Sequence, residues 1–222
     1  MTQVQPSPDL SKRAFLQCAA GLALAAASPT VVFAADDAGI YDPSVPKDWS
    51  FIRIALKSVT PDTPVKIGDK VLALKERGVS EYIARAPGNY TVEIGGRSST
   101  LTLGQAQYMT VLASDNGVPP VVVLDEFTND PAKCALALYN LTGETLSLTA
   151  LEKRAPVLSA VAPMTGISRE VNAVSIDLNV EVGNNIIKTF AKTVLKRRSV
   201  TSIFAFTPNP DDIVLTLAGA KA

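Results

Sequence analysis

Acyl transfer, hydrolysis and metal chemistry each need a nucleophile with a base beside it, a convergent pair of carboxylates, or a set of soft ligands. This chain of 222 residues offers few of these. It has no histidine, so a Ser-His-Asp triad, a Cys-His dyad and a His-ligated zinc site are all excluded. Of its two cysteines, Cys18 lies in an N-terminal apolar run. Cys134 lies in the strand-like stretch Lys133 to Leu138, where a buried structural thiol is expected. Glu93 and Glu181 would have to approach within about 10 Å to act as an acid–base pair, and both are expected on solvent faces. Asp125-Glu126 and Asn129-Asp130 lack the spaced acidic loop of a calcium site and read as a solvated linker. No metal and no cofactor is expected, and the chain reads as a non-enzyme.

Two clusters remain as candidate partner- or ligand-binding residues. Tyr41, Pro43, Pro46 and Trp49 form an aromatic and proline-rich strip before the first strand. Such a strip either stacks on a sugar or docks on a partner, or Trp49 plugs the end of a core. Arg169, Glu170 and Asn172 form a polar group at a place where an internal repeat is broken. They either make a docking edge, or an internal salt bridge with an Asn turn. Lys196-Arg197-Arg198 reads as a wet basic loop between strands.

The elements that must position these residues follow from composition and pattern. Lys12 and Arg13 precede an apolar run from Ala14 to Ala27, and Val32-Phe33-Ala34 fits a cleavage site, so residues 1–34 read as a signal peptide. Ser11-Lys12-Arg13-Ala14-Phe15-Leu16-Gln17 resembles a twin-arginine signal with Lys in the first position. Processing takes 34 of the 222 residues and leaves 188, enough for one large or two small domains. The full chain carries 21 basic and 21 acidic residues, a balance that gives no reason to expect nucleic acid as a partner.

Beyond the signal, short alternating segments recur with turn chemistry every 8–12 residues, and no helical period of useful length is present. Gly68-Asp69, Gly95-Gly96 and Gly183-Asn184 mark hairpins. Residues 78–95 and 166–183 match without a gap at an offset of 88, with Gly78 on Gly166, Val92 on Val180 and Gly95 on Gly183. The fold expected is therefore all-β, with two tandem β-sandwich modules at 35–128 and 129–222 related by an internal repeat. Val174 to Val182 alternates strictly and predicts one buried and one wet face.

Four short motifs in order carry a family resemblance. They are Ile40 to Lys47 followed by Phe51-Ile52-Arg53, then Pro87-Gly88-Asn89-Tyr90-Thr91, then Tyr139-Asn140-Leu141-Thr142-Gly143, then Arg169-Glu170-Val171-Asn172-Ala173-Val174. Together they make the mature chain similar to the alginate O-acetylation accessory proteins of the AlgF family. The resemblance implies a periplasmic, non-catalytic adaptor in O-acetylation of alginate or a similar exopolysaccharide. Its implied partners are a membrane-bound O-acyltransferase and a periplasmic acetyltransferase, with the polysaccharide itself as a further candidate. It adds Arg53 to the candidate residues. The alternative reading is a tandem carbohydrate-binding module that holds the polysaccharide.

Overall fold

A strand with one wet face alternates apolar and polar residues, whereas a strand covered on both faces reads as an unbroken apolar run. Both kinds occur here, and the distinction sets the layering. The computed structural model describes residues 45–57, 63–75, 78–114, 118–127, 130–151 and 154–219. The signal segment 1–34, Tyr41 and Pro43 lie outside the described residues.

Within them the chain is all-β, with a 3-10 turn at Pro210–Asp212. The first half holds β1 (Ser50–Lys57), β2 (Val65–Ile67), β3 (Lys70–Val71), β4 (Ile83–Arg85), β5 (Gly88–Ile94), β6 (Arg97–Leu103), β7 (Tyr108–Ser114) and β8 (Val121–Leu124). The second holds β9 (Lys133–Asn140), β10 (Leu146–Ala150), β11 (Ala155–Val161), β12 (Thr165–Asn172), β13 (Ser175–Val182), β14 (Asn185–Val194), β15 (Ser199–Ala205) and β16 (Ile213–Gly219).

The first half forms two sheets of order β4-β1-β7-β8 and β3-β2-β5-β6. The second forms β12-β9-β15-β16 and β11-β10-β13-β14, the same two orders with each strand replaced by its counterpart. The β1–β7 and β9–β15 ladders are parallel, and the others described are antiparallel. Among the described residues, no ladder joins a strand of one half to a strand of the other.

The repeat is kept around the turn of its central hairpin, and register shifts in β13–β14 depart from it farther along. Val92 lies opposite Ile67 and Val180 opposite Leu148. Ile94 meets Arg97, and Val182 meets Asn185, across turns where Gly95 and Gly183 take φ of 55° and 56°. Those left-handed angles suit glycine. The match of Gly78 with Gly166 has no such common cause. Gly78 takes φ of 85° at a turn, whereas Gly166 sits inside β12 opposite Tyr139. A Cβ on Gly166 would lie 2.6 Å from the Tyr139 ring and 3.2 Å from Val123, so there the glycine permits close approach.

Two cores lie within the halves. Ile52, Ile54 and Leu56 of β1, with Met109 and Val111 of β7, face Val65, Ile67, Val92, Leu101 and Leu103 of the other sheet. Cys134, Leu136 and Leu138 of β9, with Ile203 and Ala205 of β15, face Leu146, Leu148, Leu178 and Val180. A third core lies between the halves. Ala55, Leu112, Val121 and Val123 meet Ala137, Tyr139, Phe204 and Phe206, and Phe51 and Tyr108 join a cluster with Ala135 and Val200. Strands β1, β7, β9 and β15 are thus covered on both faces, which is why β1, β7 and β9 run largely apolar and why Ser199, Thr201 and Ser202 of β15 are buried as well.

Two expectations are corrected. Glu93 does lie at the surface, 3.4 Å from Lys66, but Glu181 is buried and accepts a 2.8 Å hydrogen bond from Thr149. The polar face of β13 is likewise not wet throughout, because Asn179 is buried and accepts from Thr189. Alternation reports which face is apolar; it does not report whether polar neighbours cover the other.

The third core predicts cooperative unfolding. Val92→Ala and Val180→Ala, at equivalent buried positions in opposite halves, should each cost about 2 kcal/mol. Scanning calorimetry should show a single transition that both shift. Two transitions, each moved by only one substitution, would overturn the shared seam.

Candidate functional site

An arginine within an apolar strand is tolerated only where its donors and its charge are answered. Arg53 of β1 is 2% exposed and lies in the seam between the halves. Its Nε donates to Thr110 Oγ1 at 2.9 Å, and its Nη2 donates to Tyr139 Oη at 2.8 Å and to Ser202 Oγ at 2.9 Å. The guanidinium carbon also lies 4.4 Å from the ring centre of Tyr82, 5.0 Å from that of Tyr139 and 4.9 Å from that of Phe204. These are cation–π distances.

The countercharge is Asp125, just after β8. Thr110 Oγ1 and Tyr82 Oη each donate to its Oδ2 at 2.7 Å, and Tyr139 Oη donates to its Oδ1 at 2.5 Å. Thr110 and Tyr139 therefore each accept from the guanidinium and donate to the carboxylate. Two hydroxyls relay the ion pair, one from each half. Burial pushes the Tyr139 phenol up to about 12, with Asp125 adding to the shift and Arg53 opposing it. Burial pushes Tyr82 well above the ordinary phenol value, again against Arg53. Desolvation works against the charge of Arg53, but Tyr82, Tyr139 and Asp125 outweigh it and its pKa is raised.

The sequence-derived candidates fall in three places. Arg53 serves the seam and presents no surface to a partner. Trp49 is half-buried, its backbone N–H donating to the Pro46 carbonyl at 3.0 Å. Arg169, Glu170 and Asn172 lie exposed on β12, an outer strand of its sheet. Successive strand residues face opposite ways, so Arg169 and Glu170 are not placed as a salt bridge. Arg169 Nη1 donates to the Val157 carbonyl at 3.3 Å, and Asn172 Oδ1 accepts from Lys133 Nζ at 2.8 Å.

Asp125 is the residue that sequence reasoning missed, because an acidic pair after a strand reads as solvated linker. The available signal was Arg53, a charge inside an apolar run that needs a buried partner. Cys134 is buried as expected, with its Sγ 3.5 Å from the Val171 carbonyl and its thiol pushed up by burial and by Glu170. Asn140, in a glycosylation-like triplet, is also fully buried and donates to the Glu144 and Val161 carbonyls.

The profile of a family described as alginate O-acetyl transferase AlgF matches residues 19–202. The alginate biosynthesis protein AlgF of Pseudomonas aeruginosa PAO1 is 27% identical over 190 residues, covering 85% of each chain. That of Pseudomonas putida KT2440 is 26% identical over 189 residues, covering 85% of this chain and 86% of the relative. That of Azotobacter vinelandii is 26% identical over 179 residues, covering 79% and 80%. The solved C-terminal domain of AlgF from P. aeruginosa is 21% identical, with a TM-score of 0.35, covering 40% of this chain and 99% of that one.

The relayed pair predicts strong coupling. Arg53→Met and Asp125→Asn should each destabilise by about 3–5 kcal/mol, since each leaves its partner uncompensated. In denaturant melts the double variant should lose less than the sum by about 1 kcal/mol or more. Additive losses would show that the two charges do not act together.

The phenols predict an alkaline limit. A folded pKa of about 12 for Tyr139, against 10.0 in an ordinary tyrosine, makes the folded state the tighter proton holder. This contribution is complete below about pH 10, and it is lost as pH rises through 12. Melting temperatures followed across that window should fall less steeply in Tyr139→Phe, though from a lower starting stability.

Proposed function

The chain belongs to the AlgF family, one of alginate O-acetylation, and from that membership we propose that it is a non-catalytic periplasmic adaptor. In this reading it organises acetyl transfer from a membrane-bound O-acyltransferase to a periplasmic acetyltransferase acting on alginate or a similar exopolysaccharide. The observation that carries it is the role of the seam. The buried group of ionisable and hydroxyl side chains around Arg53 is fully engaged in joining the two halves.

That group resembles a catalytic cluster in composition but not in proton logic. Ser202, the serine within it, has a guanidinium as its neighbour, and a guanidinium cannot accept a proton. Asp125 already accepts three hydrogen bonds, and both tyrosines hold their protons. The Cys134 thiol is sealed in the second core and biased toward its protonated form. The signal-like N-terminus supports export, and among the described residues no helix is long and apolar enough to cross a membrane.

Purified mature protein should turn over an activated acetyl ester no faster than its Cys134→Ala variant. It should also bind the periplasmic acetyltransferase in a pull-down. Within that complex, Arg169→Ala or Glu170→Ala on β12 should weaken binding by about 1–3 kcal/mol. Both side chains are exposed, so stability should stay within about 0.5 kcal/mol of wild type. Acetyl-ester turnover above the control would sink the non-catalytic reading. Absence of any complex would sink the adaptor.

A further inference from the structure

We propose that the cleft between Ala106–Tyr108 and Leu124–Phe127 is a docking site for a basic segment of a protein partner, an Arg or Lys side chain flanked by apolar residues. This rests on the adaptor reading and assigns it a surface and a partner chemistry.

The cleft has a volume of about 400 Å³. Its walls are the ends of paired strands. Met109 of β7 lies opposite Leu124 of β8, and the Asp125 N–H donates to the Tyr108 carbonyl at 2.8 Å. The floor is held from below as well, since the Phe51 N–H donates to the Gln107 carbonyl and the Ala106 N–H to the Asp48 carbonyl. The latter bond places the turn that carries Trp49 at the border of the cleft.

The apolar component is exposed where its ladder neighbours are not. Met109 is 1% exposed and Leu124, directly opposite on the same face, is 59% exposed. Val122, two residues earlier on that face, is 41% exposed. Tyr108, next to Met109 in β7, points to the opposite, seam-facing side of the sheet, where its ring meets that of Phe127 edge to face at 4.3 Å and stacks on Phe51 at 5.0 Å. These rings are fixed before any partner arrives, so binding costs little further side-chain ordering.

The charges choose the occupant. The ionisable groups that line the cleft as carboxylates are Asp125 and Glu126, and among the described residues no basic side chain lines it. Asp125 is answered internally by Arg53, but Glu126 is exposed. Its backbone N–H donates to Ser168 Oγ of β12 at 3.0 Å, and Glu170, two residues on and on the same face as Ser168, adds a further exposed carboxylate. A long cationic side chain entering the cleft can lay its stem on the Phe127 ring, with Leu124 at the rim, and bring its head group to Glu126. An acidic polysaccharide would meet like charge at the same place.

The test uses two probes on the full mature chain. Amide spectra are followed during titration with acetyl-Leu-Arg-Leu-amide and with acetyl-Leu-Glu-Leu-amide. The arginine peptide should shift Tyr108 and Leu124 to Phe127, weakly and saturably, and the glutamate peptide should not. Leu124→Glu and Glu126→Lys should abolish those shifts. Leu217→Glu, at an equally exposed position on β16, should keep them. In parallel, binding of the purified periplasmic acetyltransferase should weaken about tenfold or more in Leu124→Glu and Glu126→Lys, and not in Leu217→Glu. Shifts that are absent, equal for both peptides or unchanged in the cleft variants overturn the proposal. So does an acetyltransferase that binds those variants as tightly as wild type. If the acetyltransferase does not bind wild type at all, the adaptor reading fails, while the peptide titration still decides the cleft.

Discussion

Placing one guanidinium and one carboxylate between two apolar sheets imposes a condition on everything around them. Each ion loses several kcal/mol of hydration there, and direct attraction repays this only when nearly every donor and acceptor is matched. Arg53 and Asp125 both belong to the first half, yet Tyr139 and Ser202, which complete their shell, belong to the second. The first half alone would hold an under-satisfied ion pair beneath an exposed apolar face. The second half alone would expose the seam face of Ala137, Tyr139, Phe204 and Phe206, where the rings of Tyr139 and Phe204 stack at 4.6 Å, but would hold no buried charge there. Dependence between the halves is therefore unequal, and the seam is selective in a way that an all-apolar contact would not be. A shift of one sheet by a single residue would turn Tyr139 away from Asp125.

This condition also explains where the repeat is kept and where it is abandoned. The hairpins β5–β6 and β13–β14 build the inner cores, and there the offset of 88 holds through the turn and the two ladder pairs next to it, Ile94–Arg97 with Val182–Asn185 and Glu93–Ser98 with Glu181–Ile186, before bulges in β13–β14 shift the register. The strands that face the seam cannot stay equivalent. From ladder register, Arg53 corresponds to Ala135, since Ile52 lies opposite Ile83 as Cys134 lies opposite Val171. A second arginine at Ala135 would put two like charges into one dry layer. Gly166 serves the same layer by a different means, letting Val123 of β8 settle over Tyr139.

The strand content, the hairpin turns and the two-copy architecture were legible in the sequence, because they follow from period and from turn residues, which are local; the sheet order, with its parallel β1–β7 and β9–β15 ladders, was not. The seam was legible only in part. The apolar runs of β1 and β9 were consistent with burial on both faces, but nothing local said what lay opposite. Asp125 reads as linker by its neighbours, and its burial is decided by Thr110, Tyr82 and Tyr139, which are distant in sequence. Glu181 and Asn179 were hidden for the same reason: their polar partners Thr149 and Thr189 come from adjoining strands.

A break in an internal repeat is therefore an ambiguous sign until burial sorts it. Arg53 breaks the repeat in a dry layer with every contact directed inward, and it reports how the copies are joined. Arg169, Glu170 and Asn172 break it on an outer strand, exposed, with sparse contacts: Arg169 to Val157 of β11 in the neighbouring sheet and Asn172 to Lys133 of β9. β12 also continues unbroken for eight residues where the first half has only isolated bridges and the short β4. Lengthening that edge gives Ser168 its hold on Glu126, and so ties the outer strand to the segment that ends in the seam carboxylate. A partner seated on the edge would thus press on the same chain segment, Asp125 to Phe127, that locks the two halves. On the docking proposed above, docking and cohesion would share one short stretch, and the network that joins the halves would also hold the proposed binding face rigid.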